Sequence, residues 1–204
     1  MAADGTTAAD AGSKRLNDDE IRSRIAANVR PWDGYWAWRD KPIGERGAAS
    51  EILQQSGIQV AGLVSRRDDP PDCEGMLDRQ WSAVELTELV HRKTLARSLK
   101  AIKERAAGRE PEKTEAYFVW NRTDLLRAVQ ERIEVKDALR LKGGPYERYV
   151  LVIHTDEFFL DSATVRRFLK GATFRARAIN DVIVGLSCEP ASGACPVFRL
   201  ELIR

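Results

Sequence analysis

Histidine and cysteine are scarce in this chain, at two and three among 204 residues. His91 and His154 stand too far apart to form a spacing motif, and Cys73, Cys188 and Cys195 have no CxxC spacing, which argues against zinc. Three scattered cysteines make no disulfide framework, and the default compartment is the cytoplasm. No run of about 18 apolar residues exists, so no membrane span is expected. Residues 1–15 carry no apolar core of a secretory signal. An excess of one charge is also lacking. The 33 Lys+Arg against 31 Asp+Glu leave +2, which excludes a histone-like basic protein but not local basic patches. There is no phosphate-cradling GxxxxGKS/T loop, no dinucleotide GxGxxG and no Gly-x-Ser-x-Gly elbow.

What remains is globular: 43% of residues are hydrophobic and 31% charged, over a length that suits one domain. Residues 1–18 are small and polar and read as a flexible tail, leaving 19–204 as a single α/β domain. Ile21, Ile25 and Val29 mark a short helix over 19–29. The aromatic cluster Trp32, Tyr35, Trp36 and Trp38 is expected to pack on the core. A helix over 45–55 carries the stripe Ala48, Ala49, Ile52 and Leu53, and Gly57 stops it. Strands are expected at 58–64, 73–76 and 81–87, the last two joined through 77–80. The pattern turns helical after Glu88, which is placed to cap that helix. After a polar loop at 107–115, Leu126, Val129 and Ile133 share one face of a helix over 123–141. The apolar run at 149–153 fits a strand buried on both faces. A helix over 162–170 and strands at 182–186 and 197–202, joined by a turn at 189–193, complete a central mixed sheet flanked by helices.

The chemistry-bearing stretch is Pro70-Pro71-Asp72-Cys73-Glu74 followed by Val84-Glu85-Leu86-Thr87-Glu88. Hairpin neighbours bring Asp72 and Glu85 close, and two such carboxylates repel unless a cation sits between them. Mg²⁺ or Mn²⁺, hard and oxygen-loving, suits that pair. Strand alternation puts Glu85 and Thr87 on one face, with Thr87 beside any bound water, and Val84 and Leu86 on the other. Glu85 lies among apolar neighbours, where an acid is costly without a purpose. Asp72 has a second reading as the residue that closes the Pro-Pro turn.

These residues resemble the PD-(D/E)xK superfamily of restriction-endonuclease-like nucleases: Asp72 after Pro71, then Glu85-Leu86-Thr87, in an element order that spreads over about 45–202. The resemblance implies a Mg²⁺-dependent phosphodiester hydrolase acting on DNA or RNA, with Asp72 and Glu85 holding the metal. Glu45, on the helix that resembles the superfamily's first core helix, would assist. Its alternative is an ordinary acid favoured by the dipole of a helix N-terminus. The superfamily's lysine would occupy position 87, where this chain has threonine. Lys136, three residues after Ile133 on the inward helix face, is the candidate replacement, and Lys93 the next. Lys136 either meets a carboxylate or extends its stem over the helix edge to water. Thr87 also admits a rival, the same fold with a lost active site that binds nucleic acid or a protein. A third reading treats the carboxylates as incidental to an interaction protein. A double-strand cutter would work as a two-fold homodimer, although no pattern marks an interface.

Positive charge is uneven. Residues 89–109 hold seven Lys/Arg, among them Arg92, Lys93, Arg97, Lys100 and Lys103, against one acid, Glu104. Residues 166–177 hold five more, including Arg166, Arg167 and Lys170, and no acid. Both segments are candidates for tracking a phosphate backbone, with a solvated helix face as the alternative.

Overall fold

A computed structural model describes residues 41–110, 118–157, 159–187 and 195–204. The expected tail, the 19–29 helix, the aromatic cluster at 32–38, Cys188 and the turn at 189–193 lie outside the described residues, as does much of the 107–115 loop.

Helix α1, Lys41–Gln55, begins four residues earlier than expected. Pro42 fits a first helical turn, where no N–H partner is needed and the fixed φ is already helical. Glu45, Ala49, Ile52 and Leu53 form its buried stripe. It ends in a Schellman closure: Ile58 N–H donates to Leu53 C=O (3.1 Å), Gly57 N–H donates to Gln54 C=O (3.0 Å), and Gly57 takes φ +86°.

Three strands follow, β1 (Val60–Ser65), β2 (Cys73–Leu77) and β3 (Gln80–Glu88), paired antiparallel in sequence order. Only Asp78 and Arg79 form the β2–β3 turn, both at positive φ, which is the twist-matched geometry for a two-residue hairpin. The Asp78 carboxylate supports it by accepting from Gln59 N–H (2.9 Å). Helix α2 (Arg92–Ala106) and helix α3 (Arg122–Asp137) lead to β4 (Arg148–Thr155), which lies parallel to β3. Glu88 stays within β3 rather than capping α2, because the ladder with β4 continues to Glu88 opposite His154. Helix α4 (Ser162–Leu169), the short β5 (Thr173–Arg175), β6 (Asp181–Leu186), β7 (Val197–Arg199) and β8 (Glu201–Ile203) complete the chain. The main sheet runs β1-β2-β3-β4-β6-β7, with β6 parallel to β4 and β7 antiparallel to β6.

The expected mixed α/β sheet flanked by helices is therefore present. The closing segment differs from expectation. The strand expected at 197–202 is two strands in two sheets, because buried Leu200 donates its N–H to Val182 C=O (2.9 Å) and turns the chain away from β6. Beyond it, β8 pairs in parallel with β5, a strand too short to show alternation in the sequence.

Side-chain alternation divides the core into two layers. Val84, Leu86, Val150, Val152 and Ile183 pack with Ala49, Ile52 and Leu53 of α1. Ala83, Leu151, Ile153, Val182 and Val184 pack with Leu125, Val129 and Ile133 of α3. Helix α3 ends at Asp137, four residues before the expected end. There the Asp137 carboxylate accepts from the N–H groups of Arg177, Ala178 and Ile179 at 2.8–2.9 Å, and the chain leaves the helix toward the loop before β2. No helix among the described residues is long and apolar enough to cross a membrane.

The register of β1 against β2 shifts between Ala61 and Val64, and Gly75 lies under that irregularity. A Cβ at position 75 would stand 2.9 Å from Leu63 Cα and 3.1 Å from Gly62 O, both backbone atoms with little freedom to move. Gly75→Ala is expected to cost about 1–3 kcal/mol. The cost would be read as a lower urea midpoint with an unchanged slope.

Candidate functional site

Glu85 occupies the interior of β3, the strand where antiparallel pairing to β2 meets parallel pairing to β4. Its neighbours Val84 and Leu86 face α1, so its own side chain falls on the α3 side, where it is fully buried. The register pairs Cys73 with Val84, which brings the preceding residue, Asp72, beside Glu85. Asp72 Oδ2 accepts from Leu86 N–H at 2.8 Å, and its carbonyl accepts from Arg66 N–H at 2.9 Å. Asp69 joins from the loop between β1 and β2. One oxygen from each of Asp69, Asp72 and Glu85 lies within 4.8 Å of the others, and exposure falls along that series from open to buried.

The cation is Lys136. It projects from the last turn of α3, and its ammonium donates to Glu85 Oε2. Its side chain is 20% exposed, against 0% for Glu85. Tyr149 O–H donates to Lys136 C=O at 3.0 Å and so ties the helix end to β4. The other Glu85 oxygen, Oε1, is buried with no hydrogen-bond partner. Burial raises the Glu85 carboxyl to about 7, the Asp72 charge adds to the rise, and Lys136 opposes it. Burial would lower Lys136, but the hydrogen bond to Glu85 and the charges of Glu85, Asp72 and Asp69 outweigh it and hold the ammonium above its ordinary value. Burial and then Asp72 and Glu45 push the Cys73 thiol up to about 12, so it is no nucleophile.

The remaining expected residues separate into those near this cluster and those away from it. Thr87 lies on the same face as Glu85, one step along β3 and opposite Ile153. Glu45 is buried on α1, 3.2 Å from Lys41 and with its charge felt at Cys73. It does not join the three-carboxylate cluster. Asp69 does, and sequence reasoning missed it because Asp68-Asp69-Pro70-Pro71 reads as a turn. The signal available was two acids within four residues of Asp72. Lys142 completes the rim: its ammonium donates to Asp69 C=O and its N–H to Pro70 C=O (2.8 Å).

Lys93, Arg97, Lys100 and Lys103 are exposed on α2, with Lys100 3.8 Å from Glu104. The Arg92 side chain lies outside the described residues. Arg166, Arg167 and Lys170 are exposed on and just after α4. His91 stacks on Phe118 with ring centres 3.7 Å apart and bonds Thr94 Oγ1 at 2.7 Å, while its backbone N–H donates to Glu157 Oε1 at 2.7 Å. Cys73 is a buried free thiol, and the Cys195 thiol donates to Glu51 Oε1 (3.2 Å).

The donor set suits a hard divalent cation. Three carboxylates converge, and the deepest has an oxygen, Oε1, with no hydrogen-bond partner in its ionised form among the described residues, while its protonated form is stabilised by a hydrogen bond with Asp72. Comparison with known proteins finds no matching family model, no matching curated protein and no matching solved structure.

The raised carboxyl gives a signed pH effect. The folded state holds the Glu85 proton up to about 7 and the unfolded chain only up to about 4.5, so this group's stabilising contribution is complete below the lower value and lost as pH rises through the upper one. The stability difference between Glu85→Gln and wild type should therefore shift in the variant's favour from about pH 5 to about pH 8, by on the order of 1–3 kcal/mol, on top of the constant cost of leaving Lys136 without its partner. Lys136 faces an uncharged partner in both proteins at the acid end, so the change in the melting difference with pH isolates Glu85.

Proposed function

We propose that the protein is a divalent-cation-dependent phosphodiester hydrolase acting on nucleic acid in the cytoplasm. The observation that carries this reading is the buried Glu85 carboxylate, with Oε2 on Lys136, Oε1 without a hydrogen-bond partner among the described residues, and oxygens of Asp72 and Asp69 within 4.8 Å of one of its own. A buried ion pair is a poor device for stability, since apolar residues of the same volume do as well or better. A half-satisfied one makes sense as a site that awaits a cation.

The element order supports the same reading. A helix, an antiparallel three-strand meander, two helices and a strand parallel to the third resemble a restriction-endonuclease-like core. Asp69, Asp72 and Glu85 would hold Mg²⁺ or Mn²⁺. Such an ion lowers the pKa of water and neutralises charge on a phosphoryl oxygen. Asp72, fixed by the Leu86 N–H, and Glu85, fixed by Lys136, keep their carboxylates aimed at one point. Lys136 stands where an ammonium orients the attacking water and offsets charge growing on the phosphate. The Thr87 hydroxyl, on the same face, is a further partner for that water. Lys136 thus takes the part that Thr87 cannot, from α3 instead of β3.

Thr87 also favours a second reading, a catalytically silent module of the same fold that binds nucleic acid or a protein. The two are separated by Mn²⁺ calorimetry and plasmid nicking on the same preparations. Wild type should bind Mn²⁺ and nick, and Asp72→Asn/Glu85→Gln should lose both. Asp69→Asn should weaken Mn²⁺ binding by about tenfold. Lys136→Ala should keep Mn²⁺ binding and lower nicking by about 10²-fold or more. Binding without nicking in wild type selects the silent module, and nicking that survives in the double variant overturns the assigned site.

A further inference from the structure

Strand β7 is one edge of the main sheet, separated from β3 by β4 and β6, or about 14 Å at the usual interstrand spacing. Between β7 and α4 runs a shallow groove of about 460 Å³, lined by Arg166, Leu169, Lys170, Val197, Phe198 and Arg199. Three of the six are cations, three are apolar and none is acidic. The carboxylate that pairs with Arg199, Asp181, is 9% exposed and also accepts from Arg148 Nε (2.7 Å). Arg199 remains 59% exposed despite that pair, so most of its side chain is open to the groove and solvent.

The wall is fixed. Asp161 caps the start of α4 by accepting from Thr164 N–H (2.7 Å). Arg122 holds its end, donating from Nε to Phe168 C=O (3.0 Å) and from Nη2 to Lys170 C=O (3.4 Å). The Arg166 guanidinium lies over the Phe198 ring, 5.8 Å from its centre. The groove's volume falls in the range of about 300–1,000 Å³ that ligand sites occupy.

We propose that this groove binds an unpaired nucleic-acid strand, with Arg166, Lys170 and Arg199 on its phosphates and Phe198, Leu169 and Val197 against its bases. The cations alone would accept any polyanion. The apolar floor between them decides the class. A duplex hides its base faces and offers phosphates only, so that floor would gain nothing from it. A single strand supplies both charge and exposed rings, the pairing that strand-binding proteins use. A guanidinium already seated over an aromatic ring can extend the stack onto a base. The inference rests on the hydrolase reading only for the choice of nucleic acid as the anion. Its test involves no cleavage, so either reading can fail without the other.

The experiment is fluorescence anisotropy with a labelled single-stranded DNA oligonucleotide and the matching duplex, in EDTA, over a salt series. Wild type should bind the strand at least about tenfold tighter than the duplex. Arg166→Glu/Lys170→Glu should weaken strand binding by at least about tenfold and flatten the slope of log K against log salt by about 1.4, from 0.7 per lost phosphate contact. Arg166→Gln/Lys170→Gln, which adds no repulsion, should flatten the slope equally with a smaller affinity loss. Melting curves on the same samples check that the fold is kept. Equal affinity for strand and duplex overturns the proposal, as does an unchanged salt slope in the neutral variant. Displacement of the strand by an equal concentration of polyglutamate would reassign the groove to acidic proteins.

Discussion

The contact between Glu85 and Lys136 is the constraint around which this molecule is organised. It places a carboxylate with no solvent exposure in the middle of the sheet and brings the end of α3 down onto β3 to meet it. Taking either charge from water costs several kcal/mol, and breaking such a pair from one side costs about 3–5 kcal/mol. The surroundings that make it tolerable are specific. Asp72 is held by a backbone N–H, Tyr149 anchors the last turn of α3, and Asp137 turns the chain out of that helix one residue after Lys136.

A second ionic cluster, buried at Arg148 and Asp181, gives a contrast to the first. Asp78, Arg148, Asp181 and Arg199 join the β2–β3 turn to the starts of β4 and β6 and to the end of β7. Burial pushes the Asp181 carboxyl up, yet its hydrogen bonds to Arg148 and Arg199 leave it below its ordinary value. Both of its oxygens have arginine partners. That network fastens strands. At the other cluster burial prevails, the carboxyl rises, and Glu85 keeps one oxygen without a partner. Satisfied charges hold a structure together, whereas a charge left half-satisfied requires another explanation, and the proposed cation would supply it.

The two charged regions of the α3–α4 side stand at opposite edges of the main sheet. The carboxylates lie at the junction of β2 and β3, near the β1 edge, and the basic groove lies along β7 at the opposite edge. The six described residues that line the groove include no acid, and the carboxylate site has one embedded ammonium, Lys136, with Lys142 at its rim.

Local sequence determined a good deal. The apolar run of β4 has to be a strand covered on both faces, because every residue in it avoids water. The stripe on α1 and its closure at Gly57 follow from spacing and from glycine's freedom at positive φ. Glu85 stood out because an acid among apolar strand neighbours needs a reason, and Lys136 because a cation fell on the apolar face of its helix. Tertiary structure decided what spacing could not. Asp69 joins the site only because the Pro-Pro loop folds back over the strand ends, and Glu45 stays out because α1 covers the other side of the sheet. The closing segment splits between two sheets because Leu200 is drawn into the core. That Lys136 meets Glu85 across a sequence separation of 51 was open in the sequence and closed by packing. Periodicity reports which face a residue occupies, while only the packed sheet and helices set which faces meet.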